Sequence, residues 1–216
     1  MTTRSNSITP EIREIHKQFQ SVVTPHISDN MGRHIGVRGL NRYNKTGKMV
    51  GSAFTVKTRP GDNLYIYKAL TMLEPGHVLV VDAQGDTTNA VIGELIKLYA
   101  LQRGCAGFVI NGAIRDVACF ENTPCYARDV VHCGPYKTGP GAVNVPVSIG
   151  GMVVNPGDII VGDEDGIIGF PLSAAHNLLA LARSHEAAEE RVKAEIATGA
   201  LNQSWIESTL IKANLA

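Results

Sequence analysis

Four consecutive apolar residues, Val78, Leu79, Val80 and Val81, stand between the turn-forming pair Pro75-Gly76 and the polar stretch that begins at Asp82. A strand with one solvated face alternates apolar and polar residues; a short unbroken apolar run marks a strand buried on both faces. A helical pattern follows from about Asn89 to Arg103, and Gly104 suits its C-terminus because glycine adopts positive φ without strain. The run AGFVI at 106–110 is again short and apolar. Strand, helix and strand in this order form a βαβ unit with parallel strands, which sets the class as α/β.

The flanking segments add to this unit. Ile12, Ile15, Phe19, Val22 and Val23 recur at helical spacing over 10–23, and TPHISDNMG then breaks the helix, with Ser28 or Asp29 available to cap a short following turn. MVGSAFTVKT at 49–58 reads as a strand, and 59–73 as a turn into a helix with Asp62 or Asn63 as N-cap. Another strand lies in PCYARDVVH, and 138–171, rich in Gly, Pro, Val and Ile, reads as several strands joined by tight turns. A long helix runs from Ser173 to about Thr198, with Leu178, Leu181 and Ala182 inside and the charge run HEAAEERVKAE outside. At 216 residues the chain supports one well-buried core, so we expect one domain over 1–216, with helical segments at 1–27 and 173–216.

Lys+Arg and Asp+Glu balance at 20 each. A broad nucleic-acid surface or a polybasic membrane anchor needs a basic excess, so neither partner is expected. No run has the length to span a bilayer, and the N-terminus lacks the apolar core of a signal peptide. Cys105, Cys119, Cys125 and Cys133 show neither a CxxC pair nor zinc-finger spacing, which reads as reduced thiols in a cytoplasmic protein.

Inside the βαβ unit, Gly93-Glu94 near the helix start and Arg115-Asp116 beyond the second strand are separated by one helix and one strand. Roughly 14 helical residues rise about 20 Å, and roughly six strand residues return about the same distance. The two pairs are therefore expected at one rim, where the parallel strands end and where open α/β sheets bind ligands. Amides in a first helical turn are unpaired and lie at the positive end of the helix dipole. Gly93, Glu94, Leu95 and Ile96 can thus offer main-chain donors to a carboxylate, provided that the helix does not begin as early as Asn89. Arg115 offers a planar charged fork, Asp116 a hard oxygen ligand suited to Mg²⁺, and Glu94 a proton acceptor or a holder of water. The bland reading of the same residues is a turn with a surface ion pair and an acidic first helical turn that complements the dipole.

Glu94, twenty intervening residues and Arg115-Asp116 resemble the motif of the family that contains 4-hydroxy-4-methyl-2-oxoglutarate (HMG) aldolases and regulator of ribonuclease activity A (RraA)-like proteins. The resemblance extends through PGDNL at 60–64, PGHVLVVDAQGD at 75–86, PCYARD at 124–129 and 144–171. It implies a swivelling β/β/α domain, assembled as a homotrimer or homohexamer with sites near subunit boundaries. It also implies Mg²⁺ or Mn²⁺ on Asp116, Arg115 on a small 2-oxo acid, and amides around Leu95 and Ile96 on that acid's carboxylate. Aldol cleavage to pyruvate and decarboxylation of oxaloacetate are the implied activities. Well-described aldolases carry Asp where Glu94 stands, and some take an acid from a neighbouring subunit, for which Glu189, Glu190 and Glu195 are candidates. The other named branch implies a protein-binding inhibitor of a ribonuclease.

Other residues carry weaker signals. Lys68 and Lys97 sit on helical patterns and read as exposed, which leaves no lysine singled out for a Schiff base. GDEDG at 162–166 lacks the spacing of an EF-hand and reads as a turn with Asx-type bonds. His185 and Glu189, four apart, form an i,i+4 pair or a metal-binding pair. No GxGxxG or P-loop supports a nucleotide cofactor.

Overall fold

The computed structural model describes residues 7–200 and 202–215. Helix α1 (Pro10–Phe19) opens at Thr9, whose hydroxyl oxygen accepts a hydrogen bond from the Ile12 amide. The break expected at TPHISDNMG is instead a second helix, α2 (Thr24–Asp29). Pro25 falls in its first turn, where the missing N–H has no intrahelical partner to lose. Asp163 accepts from the Thr24 amide at 2.7 Å and its hydroxyl at 2.6 Å, which ties this helix to the distant GDEDG turn. Ser28 and Asp29, expected to cap a later turn, end α2 instead.

The strands are β1 (Asn41–Arg42), β2 (Met49–Thr58), β3 (His77–Asp82), β4 (Ala90–Ile92), β5 (Gly107–Ile114), β6 (Cys125–Val130), β7 (Gly141–Val143), β8 (Val147–Ile149), β9 (Met152–Val154), β10 (Ile159–Gly162) and β11 (Ile167–Phe170). The helices that follow α2 are α3 (Leu64–Leu70), α4 (Glu94–Gln102), α5 (Ala175–Ala197) and α6 (Trp205–Lys212). The main sheet runs β1-β6-β5-β3-β2-β10-β11, with β4 also on β5 and β7 also on β2; β8 and β9 pair separately. Its centre, β2, β3, β5 and β6, is parallel, and its margins are antiparallel. The α/β class and the βαβ unit are as expected, and this is the swivelling β/β/α fold with its long C-terminal helix.

Both faces of the parallel strands are covered, which is why their sequences do not alternate. On one face Phe54, Val56, Leu79, Val81, Phe108 and Ile110 pack against Ile66, Leu70 and Ile96 from α3 and α4. On the other, Ala53, Val78, Val80, Val109 and Tyr126 meet Val147, Ile149 and Met152 from the β8–β9 hairpin. A third cluster joins Ile15, Phe19 and Ile27 to Leu178, Leu179 and Ala182 of α5. Leu181, expected inside, is 41% exposed because it lies on the flank of the stripe that Leu178, Leu179 and Ala182 define.

The largest departure from the sequence reading lies before α4. The helix set from Asn89 begins only at Glu94, and the residues before it form β4. β3 ends at Asp82 opposite Asn111, so the flank of β5 beyond that point has no partner from β3. Ala90 and Ile92 fill the gap, opposite Ala113 and Ile114. Three consecutive buried apolar residues satisfy a strand there as well as a helix, and tertiary pairing decides.

Candidate active site

β4 delivers the chain to the site. Because Ile92 pairs with Ile114, the Arg115 amide donates to the Ile92 carbonyl at 3.0 Å, and Gly93 emerges beside Arg115-Asp116. The first hydrogen bond of α4 runs from the Lys97 amide to the Gly93 carbonyl at 3.1 Å. The amides of Glu94, Leu95 and Ile96 therefore precede the intrahelical ladder. One of the three is used: Glu94 N–H donates to Asp116 Oδ2 at 3.1 Å. Leu95 and Ile96 remain as donors in the turn, at the positive end of the dipole.

Gly93 is required by space rather than by backbone angle, since its φ of −158° is ordinary extended backbone. A Cβ there would lie 2.5 Å from Asp116 Oδ2 and 2.9 Å from Arg115 Cγ. Asp116 adopts the left-handed conformation (φ 53°), which Asp tolerates better than most residues, and this turns its carboxyl back onto the α4 terminus. Arg115 Nε stands 3.7 Å from Asp116 Oδ2, and the two side chains are 43% and 48% exposed. The guanidinium also lies against Gly134, where a Cβ would sit 3.0 Å from Nη1.

Gly93, Glu94, Leu95, Ile96, Arg115 and Asp116 line one cleft of about 50 Å³, so the expected residues all meet at one rim. Asn63, Tyr67, Ile92, Pro135 and Lys137 complete its wall, and none of these five was assigned to the site from the sequence. The 133–139 segment reaches the cleft through hydrogen bonds. Asn89 Nδ2 donates to the Gly134 carbonyl at 2.6 Å, and the Ala90 amide to the Cys133 carbonyl at 2.9 Å. Asp62, fully buried, accepts from the amides of Thr138 (2.7 Å), Gly139 (2.9 Å) and Leu64 (2.9 Å) and from the Thr138 hydroxyl (3.1 Å). Burial alone would raise the pKa of Asp62, but these hydrogen bonds outweigh it and hold the group below its ordinary value.

The donor chemistry suits a hard divalent cation. Asp116 is half-exposed with one oxygen engaged by an amide, and Glu94 offers a second carboxyl group at the same rim. Mg²⁺ commonly takes one or two protein carboxylates and fills its remaining positions with water or ligand oxygens. Among the described residues no group of three His, Cys, Asp or Glu side chains is arranged to hold a metal, so an all-protein cage is not what this rim provides.

The sequence pattern that defines the RraA-like family, described as Aldolase/RraA, matches residues 24–168. The chain belongs to that family. A Halalkalibacterium halodurans protein provisionally named 4-hydroxy-4-methyl-2-oxoglutarate aldolase is 39% identical to this RraA-like chain over 176 residues, covering 80% of it and 84% of the relative. An Ectopseudomonas mendocina protein with the same provisional name is 31% identical, covering 76% and 94%. RraAS2 of Streptomyces coelicolor, described as an unusual member of the RNase ES inhibitor RraA family, superposes with a TM-score of 0.77 at 26% identity, covering 84% and 98%.

Elsewhere, the other expectations resolve individually. Lys97 is half-buried rather than exposed, because its ammonium donates to the Cys119 carbonyl at 2.5 Å; Lys68 is exposed as expected. In the GDEDG turn the Asp165 amide donates to Asp163 Oδ1 at 3.1 Å, the expected Asx-type bond. His185 Nε2 lies 3.3 Å from Glu189 Oε1, while Glu189 Oε2 meets His26 Nε2 at 3.0 Å. Glu190 pairs with Lys193 at 2.7 Å. Glu189 and Glu190 are thus engaged within their own chain. No described helix is long and apolar enough to cross a membrane.

Proposed function

We propose that this RraA-like protein is a divalent-metal-dependent lyase for 2-oxo acids. It cleaves HMG or 4-carboxy-4-hydroxy-2-oxoadipate to pyruvate and a second fragment, decarboxylates oxaloacetate, or does both. The observation that carries the reading is the meeting of unpaired α4 amides, Arg115, Asp116 and Glu94 in one cleft.

Asp116 would hold Mg²⁺ or Mn²⁺, and the Glu94 carboxyl group at the same rim is left to hold a water. When bound, the metal would supply positive charge that stabilises a developing enolate. The Leu95 and Ile96 amides bind the substrate's C1 carboxylate, because they precede the first bond of the helical ladder and have no partner among the described residues. Arg115 donates to the C2 oxygen, and its hydrogen bonds strengthen as the C3–C4 bond, or the bond to the departing CO₂, gives up its electrons. For aldol cleavage the C4 hydroxyl must lose a proton, and a water held by the Glu94 carboxyl group accepts it. Glu is one methylene longer than the Asp of well-described aldolases, so that water sits farther from the helix terminus. Leu95, Leu98 and Tyr99 are exposed on α4 beside the cleft, which supports the packing of a second copy of the chain there in a trimer or hexamer.

A ribonuclease-binding regulator is the second reading, supported by the likeness to RraAS2. A coupled pyruvate-release assay with HMG and oxaloacetate separates the two. Wild type with Mg²⁺ is expected to turn over at least one substrate, and EDTA or Asp116→Ala to abolish turnover. Pyruvate release that persists through both treatments, or release from neither substrate, removes the lyase reading.

A further inference from the structure

Asn63, only 3% exposed, stands in the wall of the cleft. An asparagine at a helix start ordinarily turns its side-chain oxygen onto that helix's free amides. Here Asp62 does so instead, through Oδ1 and the Leu64 amide at 2.9 Å, and the Asn63 side chain makes no capping bond. Asn63 Nδ2 donates to the Val91 carbonyl at 3.2 Å. That contact fixes the amide's orientation, because the reverse would press two carbonyl oxygens together. Oδ1 is left as a buried acceptor without a hydrogen-bond partner among the described residues. An unsatisfied buried acceptor costs about 1–3 kcal/mol, and native proteins carry few of them. Asn63 lines the same cleft as Glu94, and through Nδ2 it is bonded to β4, the strand that delivers Glu94.

We propose that Asn63 is a positioning residue for aldol cleavage: its Oδ1 and the Glu94 carboxyl group together hold the water that takes the C4 hydroxyl proton. The inference rests on the lyase reading above. A water molecule has two hydrogens to donate, one to Asn63 and one to Glu94, and its lone pair then faces the hydroxyl. Glu94 alone would leave that water free to rotate about a single hydrogen bond. As the C3–C4 bond breaks, its electron pair moves to the C2 oxygen as enolate, and C4 becomes a carbonyl carbon. The hydroxyl proton passes to the water while the water's own proton passes to Glu94. Return of that proton to C3 completes pyruvate, and Asn63 stays neutral throughout. Oxaloacetate decarboxylation has no hydroxyl proton to remove and does not use this water.

The cleft of about 50 Å³ is smaller than the roughly 300–1,000 Å³ of small-molecule sites. Lys137 is exposed on that wall, with its ammonium 5.9 Å from the Tyr67 ring.

The test compares Asn63→Leu, Asn63→Ala and Glu94→Ala with wild type, all with Mg²⁺, in HMG cleavage and oxaloacetate decarboxylation, with thermal unfolding alongside. For both Asn63 variants kcat for HMG is expected to fall roughly 10- to 100-fold. For the Asn63 variants KM for HMG, the inhibition constant of 2-oxoglutarate and oxaloacetate decarboxylation are expected to stay within about threefold, and Glu94→Ala to lose more HMG cleavage than decarboxylation. Equal losses in both activities, or no loss in either, overturn the role of Asn63 and leave the lyase reading standing. Failure of both Asn63 variants to fold also overturns it, because the residue then serves to hold β4. A wild type that releases pyruvate from neither substrate overturns the lyase reading and this inference together.

Discussion

The Glu94 amide donates to Asp116 Oδ2 at 3.1 Å, joining the first residue of α4 to a residue 22 positions later, beyond the end of β5. Asp116 thereby caps a helix that it does not belong to. The carboxyl group is held at the mouth of the cleft by α4, by its own left-handed backbone and by the neighbouring guanidinium.

Gly93→Ala tests how tightly that arrangement is packed. The added methyl group would sit 2.5 Å from Asp116 Oδ2, closer than any real contact, so Asp116 or Arg115 must move. We expect pyruvate release to fall at least roughly 100-fold, since displacements of about 1 Å carry such costs. Stability should fall by only about 1–3 kcal/mol, the usual cost of overpacking, as measured by urea unfolding. Unchanged turnover would show that the pair need not be held where it is.

How much of this was legible in the sequence depended on what kind of signal each part leaves. Val78–Val81 announced a doubly buried strand, because burial on both faces writes itself into residue type. Gly93, Glu94, Arg115 and Asp116 were legible because one supersecondary unit brings them together. β4 was not legible, since Ala90, Val91 and Ile92 fit a helix as well as a strand. Only the free flank of β5 beyond Asn111 decides between them. That strand is also what leaves the α4 amides unpaired. Asn63, Tyr67, Pro135 and Lys137 left no periodic trace, because loops and hydrogen bonds over more than seventy positions, such as those from Thr138 and Gly139 to Asp62, bring them to the cleft. The sequence offers Asp62 as a cap for the helix after it, and it does bind the Leu64 amide. Its larger task, holding residues 138–139, involves partners that no local pattern reveals.

Asp62→Ala tests that task. The change leaves the Thr138, Gly139 and Leu64 amides without their buried acceptor, at a cost of about 3 kcal/mol. We expect lower urea resistance and faster limited proteolysis between 133 and 140, together with reduced turnover. The folded pKa of Asp62 is depressed, so its contribution to stability is present above the ordinary carboxyl range and is lost as pH falls through the lowered value. Unchanged proteolysis of the segment would mean that other contacts hold it.

His16 makes stability depend on pH at the opposite end of the strands. Its Nε2 meets the Ser52 hydroxyl at 2.9 Å, and burial, aided by nearby His77 and Arg13, lowers its pKa from 6.5 to about 4. The unfolded chain then binds a proton at pH 5 that the folded chain refuses, so stability falls as pH drops from 6.5 towards 4. Between pH 7 and pH 5 this group removes about 2 kcal/mol. His16→Gln keeps a hydrogen-bonding group and cannot titrate, so its stability should fall correspondingly less over that range in chemical denaturation. Parallel curves for variant and wild type would contradict the assignment.

The central claim is that Asp116 brings a divalent cation to the rim where Arg115 and the α4 amides hold a 2-oxo acid. Calorimetric titration with oxalate, which carries the carboxylate and adjacent oxygens of an enolate of pyruvate, tests it without any assumption about the physiological substrate. Asn in place of Asp116 suits the comparison, because it tolerates φ 53° and still offers an oxygen to the Glu94 amide. Oxalate should bind wild type in the presence of Mg²⁺ and bind at least roughly 100-fold more weakly in EDTA or to Asp116→Asn, a difference of about 2.7 kcal/mol. Equal affinity in all three conditions would contradict the account.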